Sequence, residues 1–243
     1  MRGPGTRHAS AGGPVSGAPA EAFPSLPATG LGLGVATVSE AGLAPAGPAE
    51  AAAAARMPER RRREFLAGRW AARRALRAVG LECGEIPRAG RLPVFPPGRA
   101  ASISHSAGTA VAVARAPGRD DVPLGCDIEL RPLPRRAARL VLRPDEEPLL
   151  GGARPWSVTE LFSAKEAAWK ALYVPDGRRP GSVWDLLARP YGDDLCVAHR
   201  ADPARAVRVR VRPAGAGVLS LVLGWAGDRP GRAGQCPAEP PSR

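Results

Sequence analysis

Residues 162–172 read Phe-Ser-Ala-Lys-Glu-Ala-Ala-Trp-Lys-Ala-Leu, with no Gly, no Pro and no run of β-branched residues. That composition predicts an α-helix. Helical spacing places Phe162, Glu166 and Lys170 on one face, and puts Lys165 on a neighbouring face with apolar residues. Only two of the 35 basic Lys+Arg residues are lysines, and both lie in this helix. Taken alone, the pattern equally describes a Glu–Lys pair supporting a solvated helix.

The composition is that of a protein with a packed core and a strongly basic segment. The 243 residues are 44% hydrophobic, enough for one large or two small domains. The net charge is +12, and residues 56–91 alone contribute +7, from eleven Arg against four Glu. A basic segment of this kind implies an anionic partner such as a phosphate, a nucleic acid or an acidic protein.

The basic segment is predicted to form a helix over residues 58–79. Pro58 suits a first helical turn, and Gly80 suits the position after the end. Four arginines are expected to cluster on this helix: Arg61, Arg62, Arg69 and Arg73. Such a face is either solvated or captures phosphate groups through guanidinium forks. A nucleic-acid-binding module built on the helix is therefore a rival function.

Strands are predicted at residues 31–38, 109–114, 124–130, 194–199, 206–212 and 218–225, and short helical pieces at 135–142 and 145–150. Asp127 and Glu129 lie two apart on one predicted strand, so both carboxylates point to the same face. Two such carboxylates repel each other unless a cation lies between them, and Mg²⁺ is the natural candidate. The alternative is a solvent-facing strand edge.

The remaining features of the sequence bear on where in the cell the protein is expected to be. Residues 1–30 and 228–243 are rich in Gly and Pro and are expected to be disordered. The four cysteines are far apart, which predicts reduced thiols. No signal-peptide core and no apolar run of membrane length is present. These features predict a cytoplasmic protein without membrane contact.

Four blocks in one order resemble a known family, the 4′-phosphopantetheinyl transferases. The family signature is Gly-apolar-Asp-x-Glu, then about forty residues, then an aromatic residue followed by Ser/Thr-x-Lys-Glu-x-x-x-Lys. Here it reads GCDIE at residues 125–129 and FSAKEAAWK at 162–170, and the blocks RRREFLAGR at 61–69 and SISHS at 102–106 also fit. The resemblance covers roughly residues 31–226. It is nearest to the surfactin-type enzymes and, within them, to the branch similar to the enterobactin-synthase transferase.

The resemblance implies an α+β fold of two similar halves forming an intramolecular pseudo-dimer, with residues 31–118 in one half and 119–227 in the other. It implies Mg²⁺-dependent transfer of 4′-phosphopantetheine from coenzyme A to a serine of an apo acyl or peptidyl carrier protein, releasing adenosine 3′,5′-bisphosphate. Mn²⁺ is a possible substitute for Mg²⁺. The implied metal ligands are Asp127, Glu129 and Glu166, and the implied coenzyme A contacts are Arg61, Arg69, Ser104, His105, Asp127, Glu166 and Lys170.

Some assignments stay open at this level. Arg88 and Arg91 both precede a Pro-x-aromatic-Pro loop, and either is a candidate phosphate contact. Glu166 and Lys170 are the candidate catalytic residues, but the base is either Glu166 or a metal-bound water. The expected partners are acidic carrier proteins and coenzyme A, without nucleic acid or membrane, in a monomer. A degenerate homologue that only binds carriers is disfavoured by the intact acids.

Overall fold

The computed structural model describes residues 30–152, 154–173 and 181–227. The two extensions expected to be disordered, 1–30 and 228–243, lie outside the described residues except for Gly30. Within the described part, no helix is long and apolar enough to cross a membrane. Cys83 and Cys126 are free, as expected, whereas Cys196 is disulfide-bonded, so the expectation of reduced thiols was wrong for that residue.

The chain combines helices with runs of consecutive strands. The helices are α1 (Pro48–Ala55), α2 (Glu59–Arg77), α3 (Ala138–Val141) and α4 (Val158–Leu172). The strands are β1 (Leu31–Thr37), β2 (Arg88–Ala89), β3 (Leu92–Pro93), β4 (Ala101–Ser106), β5 (Thr109–Arg115), β6 (Cys126–Glu129), β7 (Leu186–Tyr191), β8 (Asp194–His199), β9 (Asp202–Ala214) and β10 (Gly217–Trp225). Short 3₁₀ segments occupy Arg135–Ala137, Pro144–Leu150 and Val183–Asp185. This mixture confirms the α+β class.

An antiparallel sheet in the order β1-β5-β4 carries α2 on one face. Gly32 and Gly34 lie inside β1, where glycine usually weakens a strand. The reason is the approach of α2: a Cβ on Gly34 would lie 2.0 Å from the Ala71 carbonyl oxygen, and one on Gly32 would lie 2.3 Å from that of Ala75. The glycines therefore let the backbone of α2 rest directly on the sheet.

The predicted helix over 58–79 is confirmed with slightly shorter bounds, Glu59–Arg77. Gly80 has a φ of 78°, which glycine tolerates and which ends the helix. Phe65, Ala72 and Leu76 are buried as expected, whereas Val79 lies past the helix end and is only partly buried.

The second sheet has five strands in the order β6-β10-β9-β8-β7, and α4 packs across it. The predicted C-terminal strands are confirmed as β8, β9 and β10. Strand β7 was not predicted, because it ends in Arg-Pro-Tyr and Pro190 argues against a strand. The structure places β7 at the sheet edge, where a residue without an N–H donor is tolerated.

Helix α4 begins four residues earlier than the predicted stretch. Ser157 Oγ accepts a hydrogen bond from the backbone N–H of Glu160, and the Glu160 carboxylate accepts one from the N–H of Ser157. This capping box satisfies two N–H groups that the first turn leaves free. The neighbouring face predicted to be apolar is buried, and it includes the side chain of Lys165, which is fully buried.

A single apolar cluster joins the two sheets. Val111 and Val113 from β5 pack with Cys126 and Ile128 from β6 and with Leu219 from β10. The edges of the two sheets meet beside this cluster, where β4 lies next to β6.

Candidate active site

Serine side chains connect β4 to β6 where the two sheets meet. Ser102 Oγ accepts from the Cys126 N–H at 3.0 Å, and Ser104 Oγ donates to Asp127 Oδ1 at 2.7 Å. Ser106 Oγ lies 3.3 Å from Glu129 Oε2. Alternate residues of a strand point to one face, so the three serines of the SISHS block all face β6. We call this row of hydroxyls the serine seam.

Helix α4 brings Lys170 to the same acidic strand. Lys170 Nζ lies 2.9 Å from Asp127 Oδ1 and 2.9 Å from the Cys126 carbonyl oxygen. The Asp127 carboxylate is buried, and its other oxygen, Oδ2, has no hydrogen-bond partner among the described residues. A buried carboxylate oxygen without a partner is costly and indicates a place for a cation or a donor.

We call Asp127, Glu129 and Glu166 the acidic centre. The pKa values of the two glutamates indicate that the centre holds too little positive charge. Burial, together with repulsion from Asp127, raises the pKa of Glu129 to about 7. Burial and then Asp127 also raise the pKa of Glu166. Burial opposes the charged form of Lys170, but Asp127, Cys126 and Glu166 together raise its pKa above the usual value. One ammonium does not balance three carboxylates.

The donor set fits a magnesium ion. In the described part of the chain, no group of three or more His, Cys, Asp or Glu side chains is yet arranged to hold a metal. The unpartnered Oδ2 of Asp127 and the raised pKa values of Glu129 and Glu166 describe buried carboxylates that a nearby cation would stabilise. Carboxylate oxygens are also the ligands that Mg²⁺ prefers.

A glycine of the signature explains why α4 can lie so close to β6. A Cβ on Gly125 would lie 2.0 Å from the carbonyl oxygen of Ala167. Ser163 Oγ also donates to the Asp127 carbonyl oxygen at 3.4 Å. The glycine therefore allows the acids of β6 and the Glu166–Lys170 face of α4 to share one site.

Five of the predicted coenzyme A contacts line one cleft of about 540 Å³ between α2 and the loop before β4. We call it the arginine cleft, and its predicted members are Arg61, Arg69, Arg88, Arg91 and His105. Arg61 Nη1 lies 2.9 Å from His105 Nε2. Ser104 does not line this cleft, because its hydroxyl is turned to Asp127 on the other face of β4.

The arginine cleft is short of negative charge. Arg69, Arg88 and Arg91 have no carboxylate partner among the described residues. Burial, with repulsion from Arg88, Arg73 and Arg61 and against the attraction of Glu50, lowers the pKa of Arg69 to about 10. Glu64, which sequence reasoning missed, pairs with Arg60 and Arg61 at the rim of the cleft and offsets part of this charge.

The predicted cluster of four arginines on α2 was wrong for two of its members. Arg62 pairs with Glu59 on the exposed side of the helix. Arg73 Nη1 turns inward to Glu50 Oε1 at 2.8 Å. A long basic side chain turns towards the carboxylate that neutralises it. Helical spacing does not reveal where that carboxylate lies.

Sequence reasoning also missed a group of buried charges below α4. Lys165 Nζ lies 2.6 Å from Glu146 Oε2, and both side chains are fully buried. No local pattern signals this pair, because its members are 19 residues apart on different elements.

Comparison with known proteins gives the family. Residues 49–115 match the family model described as the 4′-phosphopantetheinyl transferase N-terminal domain. The chain is 40% identical over 161 residues to enterobactin synthase component D of Escherichia coli O157:H7, which covers 63% of this chain and 73% of that protein. It is also 40% identical over 139 residues to the 4′-phosphopantetheinyl transferase Svp of Streptomyces mobaraensis, covering 54% of this chain and 55% of that protein.

The matched region 49–115 includes α2, β2, β3 and β4, which supply lining residues of the arginine cleft, and β4 also supplies one side of the serine seam. The similarity to enterobactin synthase component D extends over most of that protein's length. The chain therefore belongs to the 4′-phosphopantetheinyl transferase family and is a transferase.

Proposed function

We propose that this protein transfers 4′-phosphopantetheine from coenzyme A to a serine hydroxyl of an apo acyl or peptidyl carrier protein and releases adenosine 3′,5′-bisphosphate. The observation that carries the proposal is the position of strand β4. Its His105 lines the arginine cleft, while the adjacent Ser104 binds Asp127 of the acidic centre. Coenzyme A carries phosphate groups at both the 3′ and the 5′ position of its ribose. These groups suit an arginine cleft that lies beside a carboxylate centre.

The acidic centre is the proposed site of phosphoryl transfer. Asp127, Glu129 and Glu166 are the residues that would hold Mg²⁺. When bound, the ion supplies charge neutralisation to the diphosphate, which is the main requirement of this reaction class. The unpartnered Asp127 Oδ2 and the raised pKa values of the two glutamates support this set of ligands.

Two residues of α4 are the proposed catalytic residues. Glu166 accepts the proton of the attacking serine, directly or through a water molecule. Lys170 keeps a positive charge next to Asp127 and offsets the negative charge that develops on the leaving phosphate.

The arginine cleft is the proposed site of the adenosine bisphosphate portion of coenzyme A. Arg61, Arg69, Arg88, Arg91 and His105 supply donors for its phosphates. Both Arg88 and Arg91 line the cleft, so the proposal gives a phosphate contact to each.

We extend the proposal to an intramolecular pseudo-dimer with halves 31–118 and 119–227. In each half a glycine lies against a long helix with a hypothetical Cβ–O distance of 2.0 Å: Gly34 of β1 against Ala71 in the first, and Gly125, just before β6, against Ala167 in the second. A chain that carries both halves completes its site as a monomer.

The charges of α2 do not favour the nucleic-acid rival. Arg60, Arg62 and Arg63 on the exposed side pair with Glu59 or Glu64, which reduces the charge offered to a flat phosphate backbone. Arg69, Arg88 and Arg91, which have no carboxylate partner among the described residues, instead line a cleft. The deciding experiment incubates the protein with coenzyme A, Mg²⁺ and an apo carrier protein, and measures the carrier by mass spectrometry. A carrier without the pantetheine mass increase, across a panel of carriers, would overturn the proposal.

Removing a cleft arginine is expected to weaken coenzyme A binding. Arg91 is exposed, and Arg91→Ala is expected to raise the KM for coenzyme A by roughly tenfold, the size of a lost charge-assisted hydrogen bond, without changing the melting temperature. Arg69→Ala is expected to raise this KM by at least as much and also to lower the melting temperature. Its guanidinium is buried, and its Nε donates to the Ile86 carbonyl oxygen at 2.8 Å.

Arg62→Ala is the matched control, since this arginine lies on the same helix outside the cleft. It is expected to leave the KM for coenzyme A within about twofold, because exposed ion pairs contribute little. An equal increase for Arg62→Ala and Arg91→Ala would mean that the cleft has no specific role. Tight, salt-sensitive DNA binding by the wild-type protein would favour the rival.

Lys170→Ala is expected to lower kcat by about 10- to 100-fold, because neutralisation of the leaving phosphate is lost. Lys170→Arg is expected to restore little activity, since a planar fork does not replace a compact ammonium between Asp127 Oδ1 and the Cys126 carbonyl. The measurement is kcat and KM with one carrier, beside a melting curve. A Lys170→Arg variant with wild-type kcat would show that only charge at this position matters.

A further inference from the structure

Glu146 forms a buried junction among three elements of the second half. Its Oε2 accepts from Lys165 Nζ of α4 at 2.6 Å and from Arg200 Nη2 at 3.0 Å. Its Oε1 accepts from the backbone N–H of Ala188 in β7 at 2.9 Å. The side chain has no exposed surface. Glu146 therefore ties the 3₁₀ segment Pro144–Leu150 to α4 and to the sheet.

Glu50 forms a junction of the same kind in the first half. Its Oε1 accepts from Arg73 Nη1 of α2 at 2.8 Å and from the backbone N–H of Ile86 at 2.7 Å. Its Oε2 accepts from the N–H of Ala46 at 2.9 Å. This side chain also has no exposed surface. Glu50 therefore ties α1 to α2 and to the loop that follows α2.

The two junctions have the same arrangement of bonding partners. In each, a fully buried glutamate on the short helical segment before the long helix pairs with a cation of that helix, Arg73 or Lys165. In each, it also accepts from a backbone N–H of the segment that comes after the long helix. Burying a charged pair costs free energy even when the pair is well hydrogen-bonded. A gain in folding stability therefore does not by itself account for these two buried pairs. What differs between the junctions is the part of the site that each one holds.

The Glu50 junction holds one wall of the arginine cleft. Ile86 lies just before Arg88 and Arg91, and its carbonyl oxygen accepts from Arg69 Nε at 2.8 Å. The loop is thus fixed through its N–H by Glu50 and through its carbonyl by Arg69. Loss of the Glu50 charge would weaken its bonds to Arg73 and to the Ile86 N–H, so the loop that carries Arg88 and Arg91 would be held less firmly.

The Glu146 junction holds the catalytic helix. Lys165 directly precedes Glu166 and also donates to the Val141 carbonyl oxygen at 3.0 Å. A rotation or shift of α4 changes where Glu166 and Lys170 lie relative to Asp127. Misplacement of a reacting group by about 1 Å can cost a factor of about 10² in rate.

We propose that Glu50 and Glu146 are positioning residues for different kinetic steps: Glu50 orients the loop with Arg88 and Arg91 for coenzyme A binding, and Glu146, through Lys165, orients Glu166 and Lys170 for transfer. The inference rests on the proposed function. The inference goes beyond the proposed function because neither glutamate lines the arginine cleft or belongs to the acidic centre. Both glutamates act through another residue.

The test compares Glu50→Gln with Glu146→Gln, since Gln keeps the shape and an acceptor oxygen but removes the charge. Glu146→Gln is expected to lower kcat at least about tenfold and to change the KM for coenzyme A less than about threefold. Glu50→Gln is expected to do the reverse, with KM raised at least about fivefold and kcat within about threefold. Hydrogen exchange is expected to accelerate in α4 for the first variant and in residues 85–93 for the second.

Asp194→Asn is the matched control, because Asp194 is a fully buried carboxylate paired with Arg208 and Arg210 away from both junctions. This variant is expected to lower the melting temperature, but not to change kcat alone or KM alone. If Glu146→Gln does not fold, the double variant Glu146→Gln/Lys165→Met removes both buried charges, which a fold tolerates better. It is then subject to the same kinetic and exchange measurements.

The outcomes separate this inference from the proposed function. A wild-type protein without transferase activity would overturn the proposed function, while the exchange measurements would still show whether each glutamate holds its segment. An active wild type whose two Gln variants change kcat and KM together, or behave like Asp194→Asn, would overturn the inference alone. So would unchanged exchange in α4 and in residues 85–93.

Discussion

Removing divalent metal is expected to reduce phosphopantetheine transfer by at least about 10³-fold, and adding Mg²⁺ or Mn²⁺ is expected to restore it. The expectation follows from the proposed shared site of Asp127, Glu129 and Glu166, in which Lys170 is the one basic side chain that the described residues bring to these acids. Neutralisation of a diphosphate by a metal ion accounts for several kcal/mol of transition-state stabilisation, which corresponds to a rate factor of about this size.

The measurement is the carrier's mass increase after exhaustive treatment of the enzyme and all substrates with a chelating resin. A second readout does not depend on activity: the paramagnetic signal of free Mn²⁺ is expected to fall when protein is added. The loss of signal is expected to be weaker with Asp127→Asn. Full transfer by the metal-free enzyme, or equal Mn²⁺ binding by the variant, would remove the metal from the proposal.

Glu166→Gln is expected to lower kcat by at least about 10²-fold while the melting temperature stays within a few degrees of the wild type. Gln keeps the size of the side chain but removes a ligand charge and the proposed base. No hydrogen bond from another described residue holds the Glu166 carboxylate, so its loss leaves no buried partner unsatisfied.

The matched control is Glu160→Gln, which makes the same charge change on the same helix. Among the described residues, the Glu160 carboxylate bonds to the N–H of Ser157 alone, at the start of α4, and Gln retains an acceptor for that bond. Its kcat is expected to stay within about twofold of the wild type. A wild-type kcat for Glu166→Gln would exclude this carboxylate as base and ligand. A collapsed melting temperature would mean that this face of α4 is structural.

The sequence predicted what depends on local pattern. Helix α4 follows from a stretch without Gly or Pro, and the common face of Asp127 and Glu129 follows from strand alternation. The family resemblance implied one site for Asp127 and Lys170, but their direct ion pair was not predicted, because 43 residues separate them and no local pattern joins them.

The sequence failed where partners are distant and side chains are long. Arg73 was expected beside Arg69 on a basic face, but the buried Glu50 turns it inward. Lys165 falls on the apolar face of α4 by spacing, and only its partner Glu146 explains how a lysine is tolerated there. Strand β7 was missed because Pro190 is acceptable only at a sheet edge, and the strand order is not visible in sequence.

The serine seam has a consequence for how the active centre forms. No backbone ladder joins β4 to β6 in the described part of the chain, so each sheet can complete its own hydrogen bonds before the two come together. The seam exchanges hydrogen bonds to water for hydrogen bonds within the protein, so its net contribution to the joining of the two sheets is modest. Ser104 and Asp127 lie on opposite sides of it. Because the acidic centre and the seam draw on both sheets, we expect this centre to form only once the two sheets have come together.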